Sequence, residues 1–63
     1  MSPVLSVFEN GVVSYSFNLS ENQREYIMSF VDYTVEQYNA ISEITGLDTD
    51  YLSKGNVDYW IEY

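Results

Sequence analysis

The sequence predicts an α+β domain: a three-stranded antiparallel sheet with one long helix packed on one face, all within residues 1–63. Three observations lead there. Two β-branched and aromatic runs meet at Asn10-Gly11, a helical repeat of apolar residues follows a capping signal at Ser20, and residues 57–63 alternate apolar with polar.

Residues 4–9 (Val-Leu-Ser-Val-Phe-Glu) and 12–19 (Val-Val-Ser-Tyr-Ser-Phe-Asn-Leu) read as strands, and Asn-Gly between them is a strong hairpin signal because both residues accept positive φ. A regular hairpin sets Glu9 opposite Val12, Phe8 opposite Val13, Ser6 opposite Tyr15 and Val4 opposite Phe17. Val4, Phe8, Val13, Tyr15 and Phe17 then share the expected core face. Leu5, Val7 and Val12 lie on the other face, which is too apolar for open water and too poor for a full core.

Ser20-Glu-Asn-Gln23 fits a capping box, with Glu21 suited to the helix dipole. Ile27, Phe30, Val31, Val35, Tyr38, Ile41 and Ile44 recur at three- and four-residue steps, and Gly46 supplies a left-handed stop, so the predicted helix runs from about 21 to 45. Residues 47–56 are turn-rich, with Asp48 or Thr49 capping one short helical turn. Val57, Tyr59, Ile61 and Tyr63 alternate with Asp58, Trp60 and Glu62, as in a third strand with its tryptophan turned outward.

Composition removes several function classes. The chain has no cysteine or histidine, so disulfide frameworks, cysteine zinc sites and the commonest nucleophile–base pairs are excluded. Asp48-Thr-Asp50 opens like a calcium loop, but Ser53 and Tyr59 stand where that loop needs glycine and glutamate, so no metal or cofactor is expected. One sheet and one helix offer a poor cleft for a carboxylate acid–base pair, so no catalytic residue is assigned and the chain is read as a non-enzyme. Arg24 and Lys54 cannot neutralise a phosphate track, which argues against direct nucleic-acid binding. No run is long and apolar enough to span a membrane, and the N-terminus lacks a signal-peptide pattern, so a cytoplasmic setting is expected.

Ten acidic residues against two basic ones leave a formal charge of −8. Read as one helix at ~100° per residue, Glu21, Glu25, Asp32, Glu36 and Glu43 fall within a sector of roughly 60°. A merely solvated face would mix in lysine, whereas the like charges at 21/25 and 32/36 each cost about 0.2–0.5 kcal/mol. Axial steps of ~10 and ~6 Å separate Glu25, Asp32 and Glu36, a spacing compatible with a groove built for phosphates. Tyr26 and Tyr33 border the line, and acids beside aromatic rings suit arginine and lysine. Self-repulsion in so small a core also predicts a homodimer, with Leu5, Val7, Val12 and Trp60 as its apolar seam.

A tiny, cysteine-free, acidic and aromatic-rich chain with a hairpin, an acid-striped helix and a final strand resembles phage-encoded inhibitors of host nucleic-acid enzymes. That class includes anti-restriction and anti-CRISPR proteins. The small uracil-DNA glycosylase inhibitors of Bacillus phages are similar in size and element order, and they act as homodimers. The resemblance implies a viral, DNA-mimicking anti-defence inhibitor working in the host-cell cytoplasm on a basic nuclease, glycosylase or CRISPR/restriction component. The reading from residues places Glu21, Glu25, Tyr26, Asp32, Tyr33, Glu36 and Glu43 against that partner. A different class stays open beside it: a homo-oligomeric assembly module that binds through an apolar sheet face and Trp60, its acids serving only solubility.

Overall fold

The computed structural model describes residues 2–63 as β1 (Val4–Glu9), β2 (Val12–Asn18), α1 (Glu21–Met28), α2 (Thr34–Thr45), α3 (Thr49–Leu52) and β3 (Val57–Glu62). The strands form one antiparallel sheet in the order β2-β1-β3, and the helices cover one of its faces, the α+β arrangement that the sequence predicts. The hairpin turns at Asn10 (φ 54°) and Gly11 (φ 79°), both left-handed, as a tight turn between right-twisted strands requires. The Asn10 amide donates to the Asn56 carbonyl at 2.8 Å, which ties the turn to the loop that enters β3.

The hairpin register corrects the expected face assignment. Glu9 and Phe8 pair with Val12 and Val13, but Val7 then pairs with Tyr15, Ser6 with Ser16 and Leu5 with Phe17. Ser14 is the extra residue of a bulge, and with a side-chain period of two, one extra residue turns the rest of β2 over relative to β1. Leu5 and Val7 therefore share a face with Tyr15, Phe17, Val57, Tyr59 and Ile61, and that face meets the helices. Val4, Phe8 and Val13, expected inside, lie on the open face with Trp60. Leu5 and Val7, expected in a dimer seam, are 0% exposed in the monomer core, where each buried side chain contributes about 1.5–3 kcal/mol.

The predicted single helix is two. Ser20 caps α1 with the full capping box, its hydroxyl accepting from the Gln23 amide at 3.1 Å while Gln23 Oε1 accepts from the Ser20 amide at 2.8 Å. The chain then leaves the α-helical path after Met28: the Phe30, Val31 and Tyr33 amides donate three residues back, to Ile27, Met28 and Phe30. The Ser29 hydroxyl donates to the Tyr26 carbonyl at 2.6 Å, and Ser29 to Tyr33 are all weak helix formers.

Size explains the reversal. A helix over 21–45 would be roughly 37 Å long, whereas a six-residue strand spans only about 20 Å. The folded chain measures 27 × 23 × 19 Å. Only by doubling back can both helical halves reach the sheet, which brings Ile27 of α1 and Ile41 of α2 into one core with Leu19, Ala40 and Leu52. Val31 and Val35, expected in the buried stripe, are exposed at 62% and 67%: the reversal takes both off the continuous helical stripe, Val31 into the turn and Val35 into the first turn of α2. The remaining signals hold: Gly46 ends α2 at φ 80°, and the Asp48 side chain caps α3 by accepting from the Asp50 amide at 3.1 Å.

Gln37 is the buried polar side chain that joins these layers. Its Nε2 donates to the Ile27 carbonyl at 3.2 Å, and its Oε1 accepts from the Tyr59 hydroxyl. One side chain thereby holds the end of α1, the start of α2 and the middle of β3. Gln37→Ala strands a buried carbonyl and a half-buried hydroxyl, so it is expected to lower unfolding free energy by about 1–3 kcal/mol. Urea denaturation will read that loss as a lower midpoint. In a double-mutant cycle with Tyr59→Phe the two effects should be non-additive.

Candidate functional site

The reversal divides the predicted acidic line. Glu21 and Glu25 remain on one face of α1, Glu36 and Glu43 share a face of α2, and Asp32 sits in the connecting turn with Tyr33 directly before α2. The rigid ladder of axial steps expected from a continuous helix does not exist. Tyr26 and Glu43 make the point: 17 positions apart, they would be about 25 Å apart on one helix, yet the Tyr26 hydroxyl donates to Glu43 Oε2 at 2.9 Å. Tyr26 and Tyr33, expected one above the other, belong to separate elements, and Tyr26 packs edge-on against Phe30 with ring centroids 5.4 Å apart.

Three carboxylates are held by tyrosine hydroxyls. Tyr26 donates to Glu43, Tyr51 donates to Glu9 at 2.9 Å, and Tyr63 donates to both oxygens of Glu21 at 2.6 Å. Arg24 completes the last group, with Nη2 at 2.6 Å from Glu21 Oε1 and its guanidinium carbon 5.1 Å from the centre of the Tyr63 ring. The Tyr63 hydroxyl, and after it Arg24, hold the Glu21 carboxyl below its ordinary range. The accepted carboxylates push Tyr26 and Tyr63 above the ordinary tyrosine value. Tyr51 is raised chiefly by desolvation and then by Glu9, and Tyr59 by desolvation and then by repulsion from the ionisable hydroxyl of Tyr38. These tyrosine–carboxylate pairs escaped the sequence reading, although seven tyrosines beside only two basic residues make the phenol a ready long-reach donor to carboxylates.

Glu25, Asp32 and Glu36 are exposed and, among the described residues, carry no ion pair, since Arg24–Glu21 is the one salt bridge there. These three acids and exposed Tyr33 make no side-chain contact of this kind, whereas Glu21, Glu43 and Tyr26 are also exposed but hydrogen-bonded to other side chains at the surface. The predicted dimer seam is not assembled either. Val12 lies on the helix side of one edge strand and Trp60 on the open side of the other, with β1 between them and Leu5 and Val7 buried.

Two shallow clefts mark the helical layer. One of about 250 Å³ lies between Met28, Val31 and Gln37 and the β3 residues Tyr59, Trp60 and Ile61. Another of about 240 Å³ is lined by Val35, Tyr38, Asn39, Thr49, Asp50 and Ser53. Among the described residues no helix is long and apolar enough to cross a membrane, and no three acidic, histidine or cysteine side chains converge as a metal-binding group. No protein-family model, curated protein or solved structure matches the chain.

The tyrosine–carboxylate pairs make stability sensitive to alkali. The folded state favours the neutral phenols of Tyr26, Tyr51, Tyr59 and Tyr63, so their contribution is fully present below the unfolded tyrosine value of about 10 and is lost as pH rises through the higher folded values. Urea midpoints measured from pH 8 to pH 11 should be level at first and fall beyond about pH 10. A Tyr26→Phe/Tyr63→Phe variant should start from a lower midpoint and show a shallower alkaline decline.

Proposed function

We propose that this chain is a non-enzymatic binding protein that occupies, and so inhibits, the basic surface of a nucleic-acid-handling protein in the cytoplasm. The observation that carries this reading is the lack of neutralisation. Among the described residues one ion pair meets the acids, and the lone arginine is spent on Glu21 and Tyr63, which leaves Glu25, Asp32 and Glu36 around the helical reversal without a cation there. Carboxylates kept in this state repel one another. Beyond the screening that water and salt provide, an outside surface rich in arginine and lysine, the kind that proteins use to hold phosphates, relieves them further.

Because the acids sit on two helices and a turn, recognition rests on the summed field and on individual pairs rather than on a copied phosphate ladder. Tyr33, exposed next to Asp32, adds a ring on which an arginine can stack. Association driven this way is fast and falls steeply with salt. The shallow clefts and the lack of histidine and cysteine fit a partner-binding role better than catalysis.

The test is capture from bacterial lysate on the immobilised chain, beside a Glu25→Lys/Glu36→Lys variant whose fold is checked by circular dichroism. The expected result is a nucleic-acid enzyme that elutes with salt or with competing duplex DNA, is absent from the variant, and loses activity at one equivalent of the chain. Uracil-DNA glycosylase is the first enzyme to assay directly. Capture that is equal on both proteins and indifferent to salt sinks the reading.

A further inference from the structure

The sheet has two free edges, and they differ. On β2 the Ser14 bulge interrupts the strand, which hinders pairing with another chain. β3 pairs with β1 without a break from Val57 to Glu62 and contains no proline, lysine or bulge. Apart from the strand ladder itself, the main-chain hydrogen bond made by β3 is that of the Val57 amide with the Lys54 carbonyl, so its outer edge is open among the described residues. Beside that edge lies the cleft of about 250 Å³ lined by Met28, Val31, Gln37, Tyr59, Trp60 and Ile61. Successive strand side chains point to opposite faces, so a cleft reached by three consecutive residues runs along the strand's edge rather than over one face.

Charge selects the occupant. Asp58 and Glu62 flank Trp60 on the open face, and among the described residues neither is part of an ion pair. A second copy pairing antiparallel about Trp60 would set each Asp58 against the other chain's Glu62 and bring together two chains of charge −8. A basic strand meets the opposite situation. We infer that the outer edge of β3 receives an extended basic segment of a partner protein as a fourth, antiparallel strand, with arginine or lysine across from Asp58 and Glu62 and an apolar side chain in the Met28–Val31–Ile61 cleft.

The strand supplies main-chain hydrogen bonds for affinity and alternate side chains for selectivity, as in other peptide additions to sheet edges. A dry cavity of about 150 Å³ takes a benzene ring, so the cleft has room for a branched or aromatic side chain. Trp60, 62% exposed between the two acids, offers its face to a neighbouring cation. The cleft borders the helical reversal, but the inference rests on the β3 edge with Asp58 and Glu62 and does not depend on the role of the helical acids.

The probe is the capped peptide Ser-Arg-Leu-Thr-Leu-Arg-Ser, followed by the fluorescence of Trp60, the only tryptophan, and by amide shifts of the labelled full chain. Two further versions carry N-methyl groups on alternate sets of amides. The set that faces β3 should lose about tenfold or more in affinity and the set that faces solvent should keep it, because only the former removes hydrogen bonds and blocks approach. Asp58→Asn/Glu62→Gln should also weaken binding severalfold, whereas Glu25→Lys/Glu36→Lys should leave it within about twofold. The inference is overturned by no saturable change at millimolar peptide, by equal binding of both N-methylated versions, or by binding that survives replacing the arginines with glutamate. A Trp60 change that follows chain concentration without peptide would likewise overturn it by identifying a second copy as the occupant.

Discussion

Gln37 is the contact through which the two layers of this fold register on each other. A chain of this length cannot lay a 25-residue helix along six-residue strands, so the helical segment must turn back, and the turn exposes main-chain groups that need partners. Gln37 satisfies the Ile27 carbonyl at the end of α1 and takes the Tyr59 hydroxyl from β3. Burying one amide costs free energy unless both ends are matched, and here both are. The apolar contacts of Ile27 and Ile41 provide most of the packing, while the glutamine defines which turn of α2 lies over which residue of β3.

The tyrosines answer a second constraint. At charge −8 with one arginine engaged, few cations are on hand, and three carboxylates bonded within the fold take neutral phenol donors. Tyr26, Tyr51 and Tyr63 donate from three elements or their ends, each joining residues distant in sequence: 26 to 43, 51 to 9 and 63 to 21. Their rings also pack, Tyr51 edge-on against Tyr15 at 6.0 Å and Tyr26 against Phe30. A phenol thus replaces a lysine without reducing the negative charge. The surface keeps its field while selected acids are tied down, and the ones left free are concentrated near the helical reversal and along β3.

Those two regions define what the surface can do. In the proposed function the helical acids would act through charge, which tolerates imprecise geometry. The β3 edge is directional, because main-chain pairing imposes register and the cleft beside it admits side chains at alternate positions only. The open sheet face, with half-buried Val4 and Phe8 behind Trp60, gives that edge a partly apolar backing. On the inference drawn for this edge, the same acids that would favour a basic strand disfavour a second acidic copy.

Local features were legible in the sequence because their causes are local. Asn10-Gly11 specifies a left-handed turn, Ser20 and Gln23 close a capping box, Gly46 stops a helix, Asp48 caps α3, and the alternation from Val57 sets which side of β3 is buried. Tertiary structure alone decided the Ser14 bulge and the reversal at 29–33. With the bulge, β2 turns Phe17 to the side of fully buried Leu5 and Val7, where it packs half-buried against the core, while Tyr15 on the same side stays largely exposed. The reversal exists because a periodic apolar stripe states that a segment is helical and amphipathic but carries no information about the size of the surface it must cover. For the candidate site the consequence is direct. Residue types and total charge could be read from the chain, while which acids stand free depended on how far the sheet extends beneath the helices.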